Sequence, residues 1–331
     1  MAVNSVLYAG TVGQGIWRSL DNGETFQRRN AGIFMEADVR ALVVHPSDPQ
    51  ILYAGTNAGI YRTSDGGENW ERLNTPFLPG DGWPTGAVVW SLLIHPADPR
   101  LLFAGVCPAG IYRSRDEGAN WEKLDAGINP DCKPIVYSRV TCLLADPAEP
   151  NTLWAGVEID GIRRSQDLGN SWERRDNGIS SQDIHSLAIA PGSPRTLLAA
   201  TNNDLNLSRD EGLTWVPQNV KATFPHGYCR GIIAKADAPS TLLLGNGNGP
   251  PGSTGSLQIS RDGGQTWRQA ELPVRPNSTI WTFGTHPALP ERIFCASVSG
   301  YLYHSDDGAV TWRKCAHEFG EVRCLALVPA A

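Results

Sequence analysis

The stretch "SRDGGQTW", residues Ser260–Trp267, is one of seven similar phrases in a sequence of 331 residues. The other copies are "SLDNGETF" from Ser19, "TSDGGENW" from Thr63, "SRDEGANW" from Ser114, "SQDLGNSW" from Ser165, "SRDEGLTW" from Ser208 and "HSDDGAVTW" from His304. Read from His304, the last copy carries one extra residue. Copies recurring about every 40 to 50 residues predict a repeat architecture in which each phrase marks one structural unit.

Each phrase has the composition of a tight turn. Its aspartate can accept hydrogen bonds from turn amides, its glycine supplies a positive φ, and its Trp or Phe can fill the space between sheets. We therefore interpret the aspartates as folding devices rather than catalytic groups. They are Asp21, Asp65, Asp116, Asp167, Asp210, Asp262 and Asp306.

The unit around each phrase reads as a four-stranded meander. Between Val39 and Asn74 the strand signals "VRALVV", "ILYAGT", "GIYRT" and "NWERL" follow one another with Pro, Asp and Gly between them. The chain begins in a second strand, "VLYAGT", and ends in a first strand, "VRCLALVP", so its two ends complete one blade together. The prediction is an all-β, seven-bladed β-propeller of four-stranded antiparallel blades, with residues 1–331 as a single domain.

The repeated S/T-x-D-x-G-x-T-W pattern resembles the Asp-box, or BNR, repeat over essentially the whole chain. Asp-box propellers include sialidases, xyloglucan-degrading glycosidases, sortilin-type receptors and photosystem II assembly factors. Sialidases generally have six blades and an Arg-Ile-Pro motif, which this sequence lacks, so their catalytic residues do not transfer. Xyloglucan-degrading relatives pair two propellers around a cleft, whereas the photosystem assembly factors match better in blade number and grip a protein partner with an arginine patch.

Composition excludes several function classes. A net charge of −6 argues against general nucleic-acid binding, and no apolar run is long enough to span a membrane. Seven cysteines without CxxC or zinc spacing indicate reduced thiols in a cytoplasmic protein, with a Cys107–Cys132 pair as the alternative. The protein would be secreted if a signal peptide had been removed. No cofactor and no metal are expected.

Candidate site residues emerge when the seven first strands are aligned on the turn that follows them. Ligand sites of propellers usually lie where these inner strands begin. Six residues before the turn stand Arg40, Trp90, Thr141, His185, Arg230, Trp281 and Arg323. Two residues earlier, on the same side of each strand, stand Asp38, Val88, Arg139, Asp183, Tyr228, Thr279 and Glu321.

This ring has the composition of a small-molecule site. Arg40, Arg139, Arg230 and Arg323 are predicted to hold an anion, with Trp90 and Trp281 as aromatic walls. Proton transfer or nucleophilic attack is assigned to His185 with Asp183, to Tyr228 with Glu321, and to Asp38. The alternative is that these arginines and acids neutralise one another. Loops on the same face add Glu36, Asn57, Trp83, Tyr137, Glu158, Asp160, Asn202, His226 and His317, and a Gly-rich lip from Gly245 to Ser256.

The sequence therefore favours a hydrolase or lyase acting on an anionic or sugar-like ligand at the channel mouth. The alternative is a non-catalytic scaffold or assembly factor that uses the same arginine-rich face to bind a protein.

Overall fold

The computed structural model of the chain describes residues 5–77, 87–132 and 136–330. The candidate Trp83 lies outside these ranges. Within them the chain forms thirty β-strands and one 3-10 turn, Val220–Ala222. No helix in this part of the chain is long and apolar enough to cross a membrane.

The strands follow one another with short connections. In chain order they are β1 Ser5–Val12, β2 Gly15–Ser19, β3 Gln27–Arg28, β4 Val39–His45, β5 Asp48–Thr56, β6 Gly59–Thr63, β7 Glu71–Arg72, β8 Val88–Ile94, β9 Leu102–Cys107, β10 Gly110–Ser114, β11 Glu122–Leu124, β12 Asp131–Cys132, β13 Val136–Tyr137, β14 Arg139–Ala145, β15 Leu153–Glu158, β16 Gly161–Ser165, β17 Glu173–Arg174, β18 Ile184–Ala190, β19 Thr196–Thr201, β20 Leu205–Ser208, β21 Val216–Pro217, β22 Tyr228–Ala234, β23 Leu242–Gly247, β24 Gly255–Ser260, β25 Arg268–Gln269, β26 Ile280–Gly284, β27 Ile293–Ser297, β28 Leu302–Ser305, β29 Arg313–Lys314 and β30 Glu321–Pro329.

Seven four-stranded antiparallel sheets form a closed ring. Blades 1 to 6 are β4–β7, β8–β11, β14–β17, β18–β21, β22–β25 and β26–β29, and blade 7 joins β30 to β1–β3. The innermost strands contact one another in sequence, and β30 contacts both β26 and β4. The antiparallel pairing of β1 with β30 closes the ring with strands from both ends of the chain, as predicted. Because the ring is closed, every inner strand has a neighbouring blade on both sides.

The core is divided among the interfaces between neighbouring blades. Each of the seven interfaces holds one hydrophobic cluster; that between blades 3 and 4, for example, joins Trp154 and Ile162 to Ile184 and Leu197. Because every sheet is covered on both faces, the second strands are continuous buried runs, such as "LFAGVC" in β9.

The repeated phrase builds the turn between the third and fourth strands. The Thr63 hydroxyl donates to Asp65 Oδ1 at 2.7 Å, and the Asn69 amide donates to the same oxygen at 3.0 Å. The Gly67 amide donates to Thr63 Oγ1, and Gly67 has a φ of +84°. Trp70 is buried against the neighbouring blade. These bonds support the interpretation of the aspartates as folding devices.

The last phrase was misaligned in the sequence analysis. Its turn aspartate is Asp307, not Asp306: Asp307 Oδ1 accepts from the Ser305 hydroxyl at 2.8 Å and from the Thr311 amide at 2.9 Å. Ala309 occupies the glycine position with a φ of 71°. The phrase runs from Ser305 without an extra residue, and the error came from matching Gly308 to the glycines of the other copies.

The cysteines are free thiols, so the Cys107–Cys132 alternative is wrong. Cys107 ends β9 beside Arg139, whereas Cys132 belongs to the hairpin of β12 and β13. Burial raises the pKa of the Cys107 thiol.

Candidate functional site at the channel mouth

The inner strand of every blade carries a β-bulge at an equivalent place. In blade 1, Val39 pairs with Thr56 and Ala41 with Gly55, so Arg40 has no partner on the second strand. The residues skipped in the same way are Arg40, Trp90, Thr141, His185, Arg230, Trp281 and Arg323. In blade 5 the irregularity also includes Gly231. Because a bulge redirects the side chain of its extra residue, these seven positions form one tier, which we call the bulge ring.

A small residue on the second strand accompanies each bulge. A Cβ added to Gly105 would lie 2.4 Å from Ser91 Oγ and 2.5 Å from Val140 Cγ1 of the next blade. The equivalent residues are Gly10, Gly55, Gly105, Gly156, Ala200, Gly245 and Ala296. This small residue marks the bulge ring in the sequence. The alignment of the seven first strands on the turn that follows them did not use it.

Two tryptophans of the ring are each flanked by two arginines. The guanidinium carbons of Arg40 and Arg139 lie 4.5 and 4.6 Å from the centre of the Trp90 ring. Those of Arg230 and Arg323 lie 3.9 and 4.5 Å from the centre of Trp281. In each case one arginine comes from the preceding blade and one from the following blade. The indoles therefore hold guanidinium groups by cation–π contact, so these ring faces are already occupied, although both tryptophans line the mouth cavity as the predicted aromatic walls.

Three of the four arginines are paired with acids. Arg40 Nη2 lies 3.1 Å from Asp38 Oδ2, and Arg139 Nη1 lies 2.9 Å from Glu158 Oε2. Arg323 is paired with Glu321. The alternative in which arginines and acids neutralise one another holds for these three pairs. Arg230 has no carboxylate partner among the described residues.

Two of the expected catalytic acids have structural partners instead. Besides Arg40, Asp38 accepts a hydrogen bond from the Gly13 amide at 3.1 Å, and Asp38 lines neither central cavity. Glu321 is bound to Arg323 rather than to Tyr228. The Tyr228–Glu321 pair stays a prediction: both residues line the mouth cavity, but an arginine two residues along the same strand binds the carboxylate.

His185 and Asp183 do come together. His185 Nδ1 lies 2.7 Å from the carbonyl oxygen of Cys229, and its Nε2 lies 3.3 Å from Asp183 Oδ1. The imidazole is almost completely buried, and this desolvation, with the nearby Arg230 charge, lowers the pKa of His185. Its imidazole is therefore held in the neutral form more strongly than that of a free histidine.

Tyr228 and Arg230 complete this side of the mouth. The Tyr228 ring packs on His185 with centroids 4.9 Å apart. Burial raises the pKa of the Tyr228 phenol, and the neighbouring Arg230 charge opposes that rise. The phenol is therefore protonated at neutral pH, so Tyr228 is better suited to donate a proton than to act as a nucleophile.

The ring separates two cavities. The outer one, of about 770 Å³, opens at the mouth and is lined by Glu158, Asp183, His185, Tyr228 and Arg230, among others. The inner one, of about 190 Å³, lies along the channel. Both cavities are lined by Trp90, His185, Arg230, Trp281 and Arg323.

The loop candidates divide between this site and other places. Glu158 and Asn202 line the mouth cavity, as do Pro250 and Pro251 of the Gly-rich lip. His226 lines a separate cavity of about 270 Å³.

Five more loop candidates have other surroundings. His317 packs on Trp17 and Phe26, and Asp160 is bound to Arg163 and Arg174. The remaining loop candidates, Glu36, Asn57 and Tyr137, line neither central cavity.

Sequence spacing did not reveal that Glu158, Asp183 and His185 form one group. One ligand atom of each lies within 4.8 Å of the others. They come from two blades, at the end of β15 and the start of β18, so no motif within one segment contains them.

Comparisons with known proteins agree with this architecture. The model of the BNR/Asp-box repeat matches residues 258–269, and the model described as sortilin, neurotensin receptor 3, matches residues 14–143. The chain is 25% identical over 305 residues to xyloglucanase Xgh74A of Acetivibrio thermocellus, covering 83% of this chain and 32% of the relative. It thus spans about a third of the length of the curated relatives it matches.

Solved structures show the same fold. The GH74 xyloglucanase from Xanthomonas campestris superposes with a TM-score of 0.70 at 19% identity, covering 98% of this chain and 52% of that chain. YCF48 bound to D1 peptide superposes with a TM-score of 0.57 at 18% identity, covering 85% of this chain and 81% of that chain. The chain therefore folds as a seven-bladed β-propeller with an Asp-box turn in each blade, as in these similar proteins.

Proposed function

We propose that the chain binds a sugar-like ligand in the mouth cavity and cleaves it as a hydrolase or lyase. The observation that carries this proposal is the convergence of Asp183, His185, Tyr228 and Arg230 on one cavity of about 770 Å³. A concave site with a few convergent polar groups and shifted pKa values is the usual form of an active site. Support also comes from the matched relatives that are named xyloglucanases.

The balance of charges at the mouth limits how many acidic groups a ligand can carry. The mouth cavity is lined by three arginines, Arg139, Arg230 and Arg323, and by three acids, Glu158, Asp183 and Glu321. Only Arg230 lacks a carboxylate partner among the described residues, so it is the group that would bind an acidic substituent. A largely neutral sugar with one acidic group fits this arrangement better than a polyanion does.

Proton transfer would fall to His185 and Tyr228. The neutral imidazole is oriented by the Cys229 carbonyl and can act as a general base. The protonated Tyr228 phenol packs on that imidazole and can act as the general acid. Elimination and hydrolysis both require such a pair, and the product distinguishes them.

The test is a binding and turnover screen with neutral xyloglucan oligosaccharides and oligosaccharides containing a uronic acid. Arg230→Gln should weaken binding of the acidic ligands by about tenfold or more, since one charge-assisted hydrogen bond contributes about 1.5–3 kcal/mol. The matched control is Arg40→Gln, because Arg40 also belongs to the bulge ring and contacts a tryptophan but does not line the mouth cavity. Both reactions release a new reducing end, so the new non-reducing end distinguishes them: a saturated sugar there would indicate hydrolysis, and an unsaturated uronyl group would indicate elimination.

Equal weakening by both variants would contradict the assignment of Arg230. Binding of neutral oligosaccharides alone, unaffected by Arg230→Gln, would remove the acidic substituent from the proposal. Failure of every sugar to bind would favour the second candidate, a scaffold that binds a peptide or protein.

Exposed apolar side chains support that second candidate. Phe34 and Met35 are 45% and 73% exposed in the loop before β4, and Val136 is 67% exposed in β13 before β14. These segments lie on the face where the inner strands begin. Replacing Met35 by Glu should abolish peptide capture by a scaffold and leave sugar binding in the mouth unchanged, which a paired binding assay would separate.

A further inference from the structure

The group Glu158, Asp183 and His185 has an unusual arrangement of hydrogen-bonding atoms. A backbone carbonyl can only accept a hydrogen bond, so the contact of 2.7 Å with Cys229 fixes the proton on His185 Nδ1. The other ring nitrogen, Nε2, faces Asp183 Oδ1. This oxygen is buried and accepts no hydrogen bond that meets the usual geometry from any described residue. Two atoms that can each bind a metal ion therefore face each other in the interior of the mouth.

The separation of these two atoms fits a metal ion better than a proton. Their distance is 3.3 Å, whereas a charge-assisted N–H···O bond is about 2.7–2.9 Å long. An ion bonded to both at about 2.1 Å would subtend an angle of about 104°, close to that of a tetrahedral site. Glu158 has a ligand oxygen within 4.8 Å of both atoms, and a shift of roughly 1 Å would make it the third ligand.

The surroundings have the features of a metal site. The bond from Nδ1–H to a backbone carbonyl is the usual outer contact of a metal-bound histidine, because it fixes the ring with Nε2 free. Arg139 occupies only one oxygen of Glu158, Oε2. All three candidate ligands line the mouth cavity, so a fourth coordination position would open toward it.

Nearby positive charge limits the kind of ion. Arg139 is bound to Glu158, and Arg230 lines the same cavity, so two guanidinium groups already lie near the two carboxylates. Calcium and magnesium bind mainly through oxygen ligands and their charge. An ion that forms directional bonds to imidazole and carboxylate is favoured instead.

We propose that Glu158, Asp183 and His185 form a binding site for one divalent transition-metal ion of the zinc type. Metal binding and proton abstraction would use the same Nε2 lone pair, so His185 would act as the proposed general base only in the metal-free protein; metal binding itself can be measured without any substrate. Affinity should follow the order Zn²⁺ above Mn²⁺, with Mg²⁺ and Ca²⁺ weakest.

The test is equilibrium dialysis of the full chain, stripped with a chelator, against Zn²⁺. The wild type should bind one ion at this site, and Asp183→Asn should bind it about tenfold more weakly or worse. Asp38→Asn is the matched control, because Asp38 stands two residues before a ring residue in blade 1, as Asp183 does in blade 4. Its affinity should equal that of the wild type. Absence of Zn²⁺ binding, or equal binding by all three proteins, would overturn the proposal.

A spectroscopic measurement on the wild type does not depend on any variant folding. Cu²⁺ loaded into the stripped protein should give an electron paramagnetic resonance spectrum with coupling to one nitrogen, from His185. Co²⁺ should bind without the intense near-ultraviolet charge-transfer band of a thiolate ligand. Coupling to no nitrogen, or a thiolate band from one of the seven cysteines, would refute the site.

Discussion

The replacement Gly105→Ala tests whether the bulge ring depends on close approach of neighbouring blades. The new Cβ would lie 2.4 Å from Ser91 Oγ and 2.5 Å from Val140 Cγ1, and Val140 is fully buried. Overpacking of this kind costs about 1–3 kcal/mol. Moving Ser91 also strains its hydrogen bond of 2.8 Å to the Val140 carbonyl, which contributes about 1 kcal/mol. We expect the free energy of unfolding to fall by about 3 kcal/mol.

The assay is urea unfolding followed by tryptophan fluorescence. Gly110→Ala is the control in the neighbouring strand, since its nearest contact would be an ordinary 3.4 Å, and it should change stability by less than about 1 kcal/mol. In the double variant Gly105→Ala/Val140→Ala, the smaller residue makes room for the new methyl group. The double variant should therefore lose about 1–2 kcal/mol less than the sum of the single variants. Additive losses, or a Gly105→Ala variant as stable as the control, would refute the close-approach argument.

Three further predictions concern groups away from the mouth. Hydrogen bonds from Asn69 and Thr63 lower the pKa of Asp65 to about 2, so its contribution to stability is present above about pH 4 and is lost as the pH falls through about 2. Melting temperatures measured from pH 5 to 2 should therefore fall less steeply for Asp65→Asn than for the wild type. Parallel curves for the two proteins would contradict this. Arg195 contacts the buried carboxylate of Asp146 at 2.7 Å, and Arg195→Ala would leave that charge without this partner. The free energy of unfolding measured in urea should therefore fall by about 3 kcal/mol. An unchanged midpoint of urea unfolding would contradict this prediction. Native protein should react slowly with a thiol reagent and show seven thiols only after unfolding. Six of the cysteines are buried, and the pKa of the seventh, Cys142, is raised by burial to about 12. Fewer than seven thiols after unfolding would indicate a disulfide.

The sequence predicted the ring of blades because the information was local and repeated. Each turn phrase has its own donors and acceptors, so its structure does not depend on distant residues. The bulges did not disturb the alignment of the ring positions, because every inner strand has its bulge the same number of residues before the following turn. Asp306 shows the limit of this approach: where Ala309 replaced the glycine, matching by residue type displaced the phrase by one position.

The partners of the ring residues could not be predicted in the same way. Arg139 is bound to Glu158 on the next strand, and His185 is oriented by a carbonyl of the next blade. Such contacts depend on the rotation of one blade against another, which no single repeat encodes. Sequence order alone therefore left open whether the arginines were free to hold a ligand or paired with acids.

The bulge also explains why the fold reveals so little about the reaction. Its extra residue has no partner on the second strand, and none of the seven ring residues belongs to the hydrophobic clusters between blades. Arginine, tryptophan, threonine and histidine all occupy equivalent ring positions in this one chain. Because such different side chains occupy this position, the side chain there contributes little to the stability of its blade. The chemistry of the mouth can therefore change while the repeats that identify the fold stay the same, so function has to be argued from the ring residues of this chain and their contacts.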